Sequence, residues 1–175
     1  MERKLKKGYV QVYTGNGKGK TTAMLGLALR AAGAGCHVYI GQFFKSGDYS
    51  EVKAIKNYLP TVDIEQYGDS ATLGKVSAQD IAEAKEGVIK AKESMTSGKY
   101  DMVLLDEINV ALFMDLLALE DVVDLIQSRP DHVELVLTGR YAIQPVIDLA
   151  DLVSDIGEVK HYYAQGVQSR KGVEL

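Results

Sequence analysis

The sequence predicts a single α/β domain in which a mainly parallel sheet carries helices on both faces. Three observations lead there. Apolar, strand-like runs alternate with stretches of helical periodicity along the whole chain. The turn between the first strand and the first helix, residues 14–22, reads T-G-N-G-K-G-K-T-T. A later apolar run ends in two carboxylates, Asp106 and Glu107.

The elements follow in order. Tyr9–Tyr13 is the first strand. From Thr21 to Ala34, the residues Met24, Leu25, Leu27, Ala28 and Ala31 recur at helical spacing until Gly33-Ala34-Gly35 stops the helix. His37–Phe43 is a second strand. A polar loop over Lys45–Tyr49 leads into a short helix, Ser50–Tyr58, broken by Pro60, and Val62–Tyr67 alternates as a strand. Gly68–Val76 is polar and glycine-punctuated and so reads as a loop; Ala78–Ser97, rich in Ala, Lys and Glu, reads as a long helix. Tyr100 to Leu105 runs into Asp106-Glu107 as a strand buried on both faces would. Helices over Asn109–Leu117 and Leu119–Ser128, a strand over Val133–Thr138, a helix over Ala142–Ala150 and a final strand over Leu152–Gly157 complete the alternation. No internal repeat, low-complexity segment or linker divides the chain, so residues 9–175 are expected to form one nucleotide-binding domain behind a basic arm, residues 1–8. That arm is either a flexible, solvated tail or a segment that closes over an anionic ligand or partner.

Composition narrows the function. With 175 residues, 46% of them hydrophobic, the chain is long enough for one self-sufficient core, and its net charge of -4 argues against general nucleic-acid binding. Cys36 is the only cysteine, which excludes an internal disulfide and a cysteine-rich zinc site, and His37, His132 and His161 have no metal-ligand spacing. No apolar stretch reaches the length of a membrane span and no signal-like segment follows the basic start; a cytoplasmic protein is expected.

The glycine-rich turn is a phosphate-binding loop. Small residues allow backbone N–H groups to turn toward a polyphosphate, the next helix presents its positive end, and Lys20 adds an ammonium. Counting back from Gly19 puts Thr14 where the usual G-x-x-x-x-G-K-[ST] spacing has glycine, and Gly17 and Lys18 are additional, which points to a phosphate chain held along a different path or in a different direction. Asp106 and Glu107 should emerge at the same carboxyl edge of the sheet, a Walker B arrangement in which they and the Thr21 hydroxyl offer oxygen ligands to Mg²⁺ on a bound triphosphate. Their alternative role is to place negative charge at the start of the next helix. Thr138-Gly139-Arg140 follows another apolar strand and brings a guanidinium to that edge, to pair with phosphate oxygens or to shield a leaving group; its alternative is a solvated turn. These features specify the fold class as a three-layer P-loop NTPase (RecA-like) fold. No Ser or Cys stands in a nucleophile motif, so the attacking group is expected to belong to a substrate.

Several segments, in order, resemble one family: residues 15–22, Gln42-Phe43-Phe44-Lys45, Leu105-Asp106-Glu107-Ile108-Asn109, Thr138-Gly139-Arg140, Ala150-Asp151-Leu152-Val153, and the end from Lys160-His161 through Gly166 to Lys171-Gly172-Val173-Glu174. The chain is similar to the P-loop-type ATP:corrinoid adenosyltransferases of the cobalamin pathway. The resemblance implies transfer of the 5′-deoxyadenosyl group of ATP to the Co(I) of a reduced corrinoid, with triphosphate leaving and ATP lying in the loop in reverse sense. It implies phosphate contacts from Asn16, Gly17, Lys18, Gly19, Lys20, Thr21 and Thr22 and a Mg²⁺ partner in Glu107, with Asp106 beside it. Taken with the reading of the residues above, Gly15 joins the nucleotide contacts, Thr21, Glu107 and Asp106 form the Mg²⁺ site, and Lys18, Lys20, Glu107 and Arg140 form the catalytic set. A homodimer and a reduced flavoprotein electron donor are implied as well. One segment departs from the family pattern: where relatives carry a G-x-G-F-x-W stretch, this chain has Gly68-Asp69-Ser70-Ala71-Thr72-Leu73-Gly74 and no tryptophan. Two other readings stand beside the transferase, a P-loop ATPase or kinase acting at the γ-phosphate and a nucleotide- or corrinoid-binding protein without turnover.

Overall fold

The computed structural model describes residues 4–68 and 76–174. Among these residues six strands form one sheet, β1 (Val10–Thr14), β2 (Val38–Phe43), β3 (Val62–Tyr67), β4 (Met102–Asp106), β5 (Glu134–Thr138) and β6 (Leu152–Asp155). Their order is β3-β2-β4-β5-β1-β6 and every pairing is parallel. Parallel neighbours require crossovers, and the helices α1 (Lys20–Gly33), α2 (Ser50–Tyr58), α3 (Ala78–Thr96), α4 (Ile108–Phe113), α5 (Leu119–Gln127) and α6 (Gln144–Asp148) supply them. This is the α/β architecture expected of a P-loop NTPase-like domain.

Alternate residues of the central strands feed two cores. Val103, Leu105, Leu135 and Leu137 face Ala84, Val88, Ala91 and Met95 of α3 and Val122 and Leu125 of α5. Met102, Leu104 and Val136 face Met24, Ala28 and Ala31 of α1, in a core shared with Val52 and Ile55 of α2. Both faces are therefore covered, which is why β2, β4 and β5 are buried at every position.

The boundaries differ from the sequence reading where local backbone chemistry intervenes. The α4 segment ends at Phe113 rather than Leu117, and Asp115 beyond it is left-handed at φ 57°. The α6 helix starts at Gln144 rather than Ala142, with Pro145 in its first turn, where the missing N–H costs nothing. The last strand stops at Asp155 and lies at the sheet edge, largely exposed, instead of running to Gly157. Of the basic stretch, residues 4–8 lie against the domain: the Lys4 N–H donates to Asp101 Oδ1 at 3.0 Å and the Gly8 N–H to the Asp131 carbonyl at 2.7 Å.

Candidate active site

The strand order builds the site. At the carboxyl edge of the sheet, β5 separates β1, which feeds the phosphate-binding loop, from β4, which feeds Asp106 and Glu107. Arg140, two residues beyond β5, thus emerges between the loop and the carboxylates, and the turn after β2 delivers Lys45 from the other side of β4. A cleft of about 640 Å³ opens there, lined by residues 17–22, Leu25, Lys45, Tyr49, Ser50, Glu51, Glu107 and Arg140, and closed on one side by His161, Ser169 and residues 172–174.

Gly15 and Gly19 take φ values of 94° and 129°, so the loop winds where side chains would strain. Gly17 has a different reason. Its N–H donates to the Ile156 carbonyl at 2.7 Å, and a Cβ there would stand 2.6 Å from the Gly157 carbonyl oxygen and 2.7 Å from that of Ile156. The segment after β6 therefore lies directly under the loop, and the additional glycine that suggested an unusual phosphate path is required by this close approach. At the start of α1, Gly19 contributes no side-chain cap. Helix-start N–H groups carry partial positive charge, and this end of α1 opens into the cleft.

Lys20 is 6% exposed and its ammonium donates to the loop's own carbonyls, Gly15 at 2.8 Å and Gly17 at 2.7 Å. Burial lowers its pKa, an effect offset in part by the negative charge of Glu107 and strengthened by Arg140. Lys18 and Arg140 are exposed at the rim.

Asp106 is fully buried and saturated. One oxygen accepts from Thr21 Oγ1 at 2.9 Å and Thr138 Oγ1 at 2.7 Å; the other accepts from Lys45 Nζ at 2.7 Å and Gln42 Nε2 at 3.3 Å. Burial pulls the Lys45 pKa down, but the Asp106 charge and hydrogen bond outweigh it and the net shift is upward. Glu107 is the opposite case. Its backbone is left-handed at φ 61°, its N–H donates to Thr138 Oγ1 at 3.2 Å, and its carboxylate lines the cleft without a hydrogen bond or ion pair among the described residues. Burial raises its pKa and the neighbouring Asp106 charge raises it further, against the opposing pull of Lys45, Lys20 and Arg140. A hard divalent cation fits this set: its donors are oxygens only, the Thr21 hydroxyl and the two carboxylates, with phosphates and water to fill the remaining positions. Among the described residues no group of three or more His, Cys, Asp or Glu side chains forms a self-standing metal site.

The structure brings Gly17, Lys18, Gly19, Lys20, Thr21, Thr22, Glu107 and Arg140 to one cleft. Gly15 and Asn16 do not line it, and Asp106 lies beneath its floor. Residues 69–75, the departure from the G-x-G-F-x-W pattern, lie outside the described residues. Sequence reasoning assigned no role to Gln42, Lys45, Glu51 or Thr138. A usable signal was present, since Gln42 and Lys45 flank the end of a buried parallel strand, as Asp106 and Arg140 do. It also missed the closing wall, where the Tyr162 hydroxyl donates to Glu174, the Arg170 N–H donates to Glu174 Oε2 at 2.9 Å, and the Arg170 guanidinium lies 5.0 Å from the Tyr162 ring centre.

The family model described as ATP:corrinoid adenosyltransferase BtuR/CobO/CobP matches residues 6–175. Among curated proteins, the chain is 36% identical to a corrinoid adenosyltransferase of Escherichia coli strain K12 over 171 residues, 96% of this chain and 86% of that protein. It is likewise 36% identical over 173 residues to the corrinoid adenosyltransferase CobA of Salmonella typhimurium, again 96% of this chain and 86% of that one. An uncharacterized protein of Nostoc sp. is 37% identical over 180 residues, 95% of this chain; the chain spans 48% of its length, about half.

Proposed function

The chain belongs to the ATP:corrinoid adenosyltransferase family, and from that premise we propose that it transfers the 5′-deoxyadenosyl group of ATP to the Co(I) of a reduced corrinoid. In that reaction the Co–C5′ bond forms as the C5′–O5′ bond breaks, and the electron pair of the broken bond leaves on triphosphate. Co(I) attacks without a proton to remove, so the protein needs no general base and no nucleophile of its own. Its work is to hold C5′ open to attack and to stabilise the charge gathering on the leaving group.

The observation that carries this reading is the concentration of cationic groups on one cleft with no protein nucleophile in a motif: Lys18, Lys20, Lys45 and Arg140 surround the start of α1. Lys20 is already buried against the loop and needs only to turn from the Gly15 and Gly17 carbonyls to the phosphate oxygens. Arg140 lies opposite, where a bidentate guanidinium contact would orient the chain. Mg²⁺ would be held by Thr21, Glu107 and Asp106, whose carboxylate also fixes the Thr21 hydroxyl from below; when bound it supplies charge neutralisation for the triphosphate. The reading includes a cytoplasmic homodimer and a reduced flavoprotein supplying the electron that makes Co(I). No described helix is long and apolar enough to cross a membrane.

The test is to mix the protein anaerobically with MgATP and chemically reduced cob(I)alamin and to identify both products. Adenosylcobalamin with triphosphate is expected. Release of ADP and phosphate with the corrinoid unchanged would make the protein a P-loop hydrolase, and tight ATP binding without product would make it a binding protein.

A further inference from the structure

Asp106 already has a cation. We propose that Lys45 is a placeholder for the divalent ion, keeping the metal position closed in the nucleotide-free protein so that the metal enters only together with the nucleotide. The inference rests on the metal reading of Thr21, Glu107 and Asp106 given above.

The geometry is that of a filled site. Lys45 Nζ stands 2.7 Å from Asp106 Oδ2 while Thr21 and Thr138 occupy Oδ1, so each oxygen of a fully buried carboxylate already has two donors. A divalent ion added to that carboxylate beside the ammonium would be repelled by it, because the like charges would sit a few ångströms apart in a poorly screened setting. A bare ion approaching the cleft therefore meets Lys45, with Lys20 lining the same cleft. The triphosphate changes the balance by adding several negative charges at the same place, giving Lys45 oxygen partners other than Asp106.

The chain around Lys45 allows such a turn. Phe44 is left-handed at φ 56° and its N–H is fixed to the Tyr67 carbonyl at 2.9 Å, which anchors the stretch on the sheet side. On the other side residues 46–48 are exposed and Gly47 takes φ 116° with open space where a side chain would begin. Glu51 Oε1, 3.9 Å from Nζ, and the Tyr49 ring, 5.6 Å away, bound the lysine on the cleft side and offer it a second anionic station. The consequence for the reaction is an order of events. A cleft that took up free metal would have its carboxylates screened before ATP arrived; one closed by its own lysine binds the metal–nucleotide complex as a unit.

The test uses Mn²⁺ as probe, with free Mn²⁺ followed by electron paramagnetic resonance and, where ATP is present, compared with the same ATP without protein. The parent should bind Mn²⁺ weakly alone and strongly when ATP is present. Lys45→Gln keeps a donor for Asp106 and so preserves the fold; it should bind Mn²⁺ without nucleotide on the order of tenfold more tightly than the parent. Lys45→Arg should restore the closed state. Lys18→Gln removes an equal charge from the same cleft without touching Asp106 and should leave Mn²⁺ binding in the absence of nucleotide within about threefold. If Lys45→Gln binds Mn²⁺ no more tightly than the parent, or Lys18→Gln gains as much, the placeholder role is wrong while the metal reading stands. If the parent binds no Mn²⁺ even with ATP, the metal reading itself fails and the placeholder falls with it.

Discussion

Asp106→Asn should cost about 3 kcal/mol of folding stability in the nucleotide-free protein, before any effect on catalysis. The carboxylate is fully buried and accepts from Thr21, Thr138, Gln42 and Lys45 at 2.9, 2.7, 3.3 and 2.7 Å. Asparagine keeps the volume but loses the charge and offers one acceptor oxygen; its NH₂ must face either Lys45 and Gln42 Nε2, which can only donate, or the two threonine hydroxyls, which must then turn their own hydrogens away. The Thr138 hydroxyl can turn its hydrogen away while still accepting from the Glu107 N–H, and Gln42 Nε2 retains a long contact with Glu51 Oε1 at 3.5 Å. Among the described residues the Lys45 ammonium keeps as carboxylate partner only Glu51 Oε1, 3.9 Å away, and with its side chain 17% exposed water replaces the lost partner only in part. Removing one partner of a buried ion pair costs about 3–5 kcal/mol, and the partial exposure of Lys45 places this case at the lower end. Urea unfolding should show the midpoint falling at unchanged slope, and a double-mutant cycle with Lys45→Gln should return a coupling of about 2 kcal/mol. A variant within about 0.5 kcal/mol of the parent would refute the view of Asp106 as the group that ties the loop, β5 and the Lys45 turn together.

Three further outcomes are expected. Glu107→Gln should make the ligand-free protein more stable at pH 7 while weakening metal-dependent ATP binding. The folded pKa of Glu107 is raised above its ordinary 4.5, so ionising it costs nothing below that range and costs stability as pH rises through and above it. The gain over the parent should therefore vanish in acid unfolding curves near pH 4, and a variant less stable at pH 7 would contradict the burial of an unpaired carboxylate. Lys20→Ala should weaken ATP binding measured by calorimetry by about 2–4 kcal/mol, because a buried charge-assisted donor is lost; an unchanged Kd would remove Lys20 from the phosphate site. Gly17→Ala should destabilise the protein by about 2 kcal/mol, lowering Tm by several degrees, because its methyl would lie 2.6 Å from the Gly157 carbonyl oxygen; an unchanged Tm would mean that the segment after β6 does not seat under the loop.

Much of the site was legible from the chain because its residues sit at the ends of strands. A buried parallel strand is written as an unbroken apolar run, and the polar residue that follows must surface at the carboxyl edge; Asp106-Glu107 and Thr138-Gly139-Arg140 are found that way. The same rule would have found Lys45 after β2, had its ion pair been imaginable without Asp106 beside it. Boundaries were less legible: α4 and α6 are short because Asp115 and Pro145 set local backbone geometry, and a periodicity window averages over single residues.

By itself the sequence determined the kinds and order of elements, the phosphate-binding loop and its family, because periodicity and glycine spacing are local properties of the chain. Only the tertiary structure decided that β5 lies between β1 and β4, which sets Arg140 between the loop and Glu107; that the turn after β6 runs beneath Gly17; and that Lys45 closes on Asp106. Each of these joins residues from different strands, and which strands become neighbours is settled by how the two helical layers bury the faces of the sheet, a choice that no short stretch of sequence encodes.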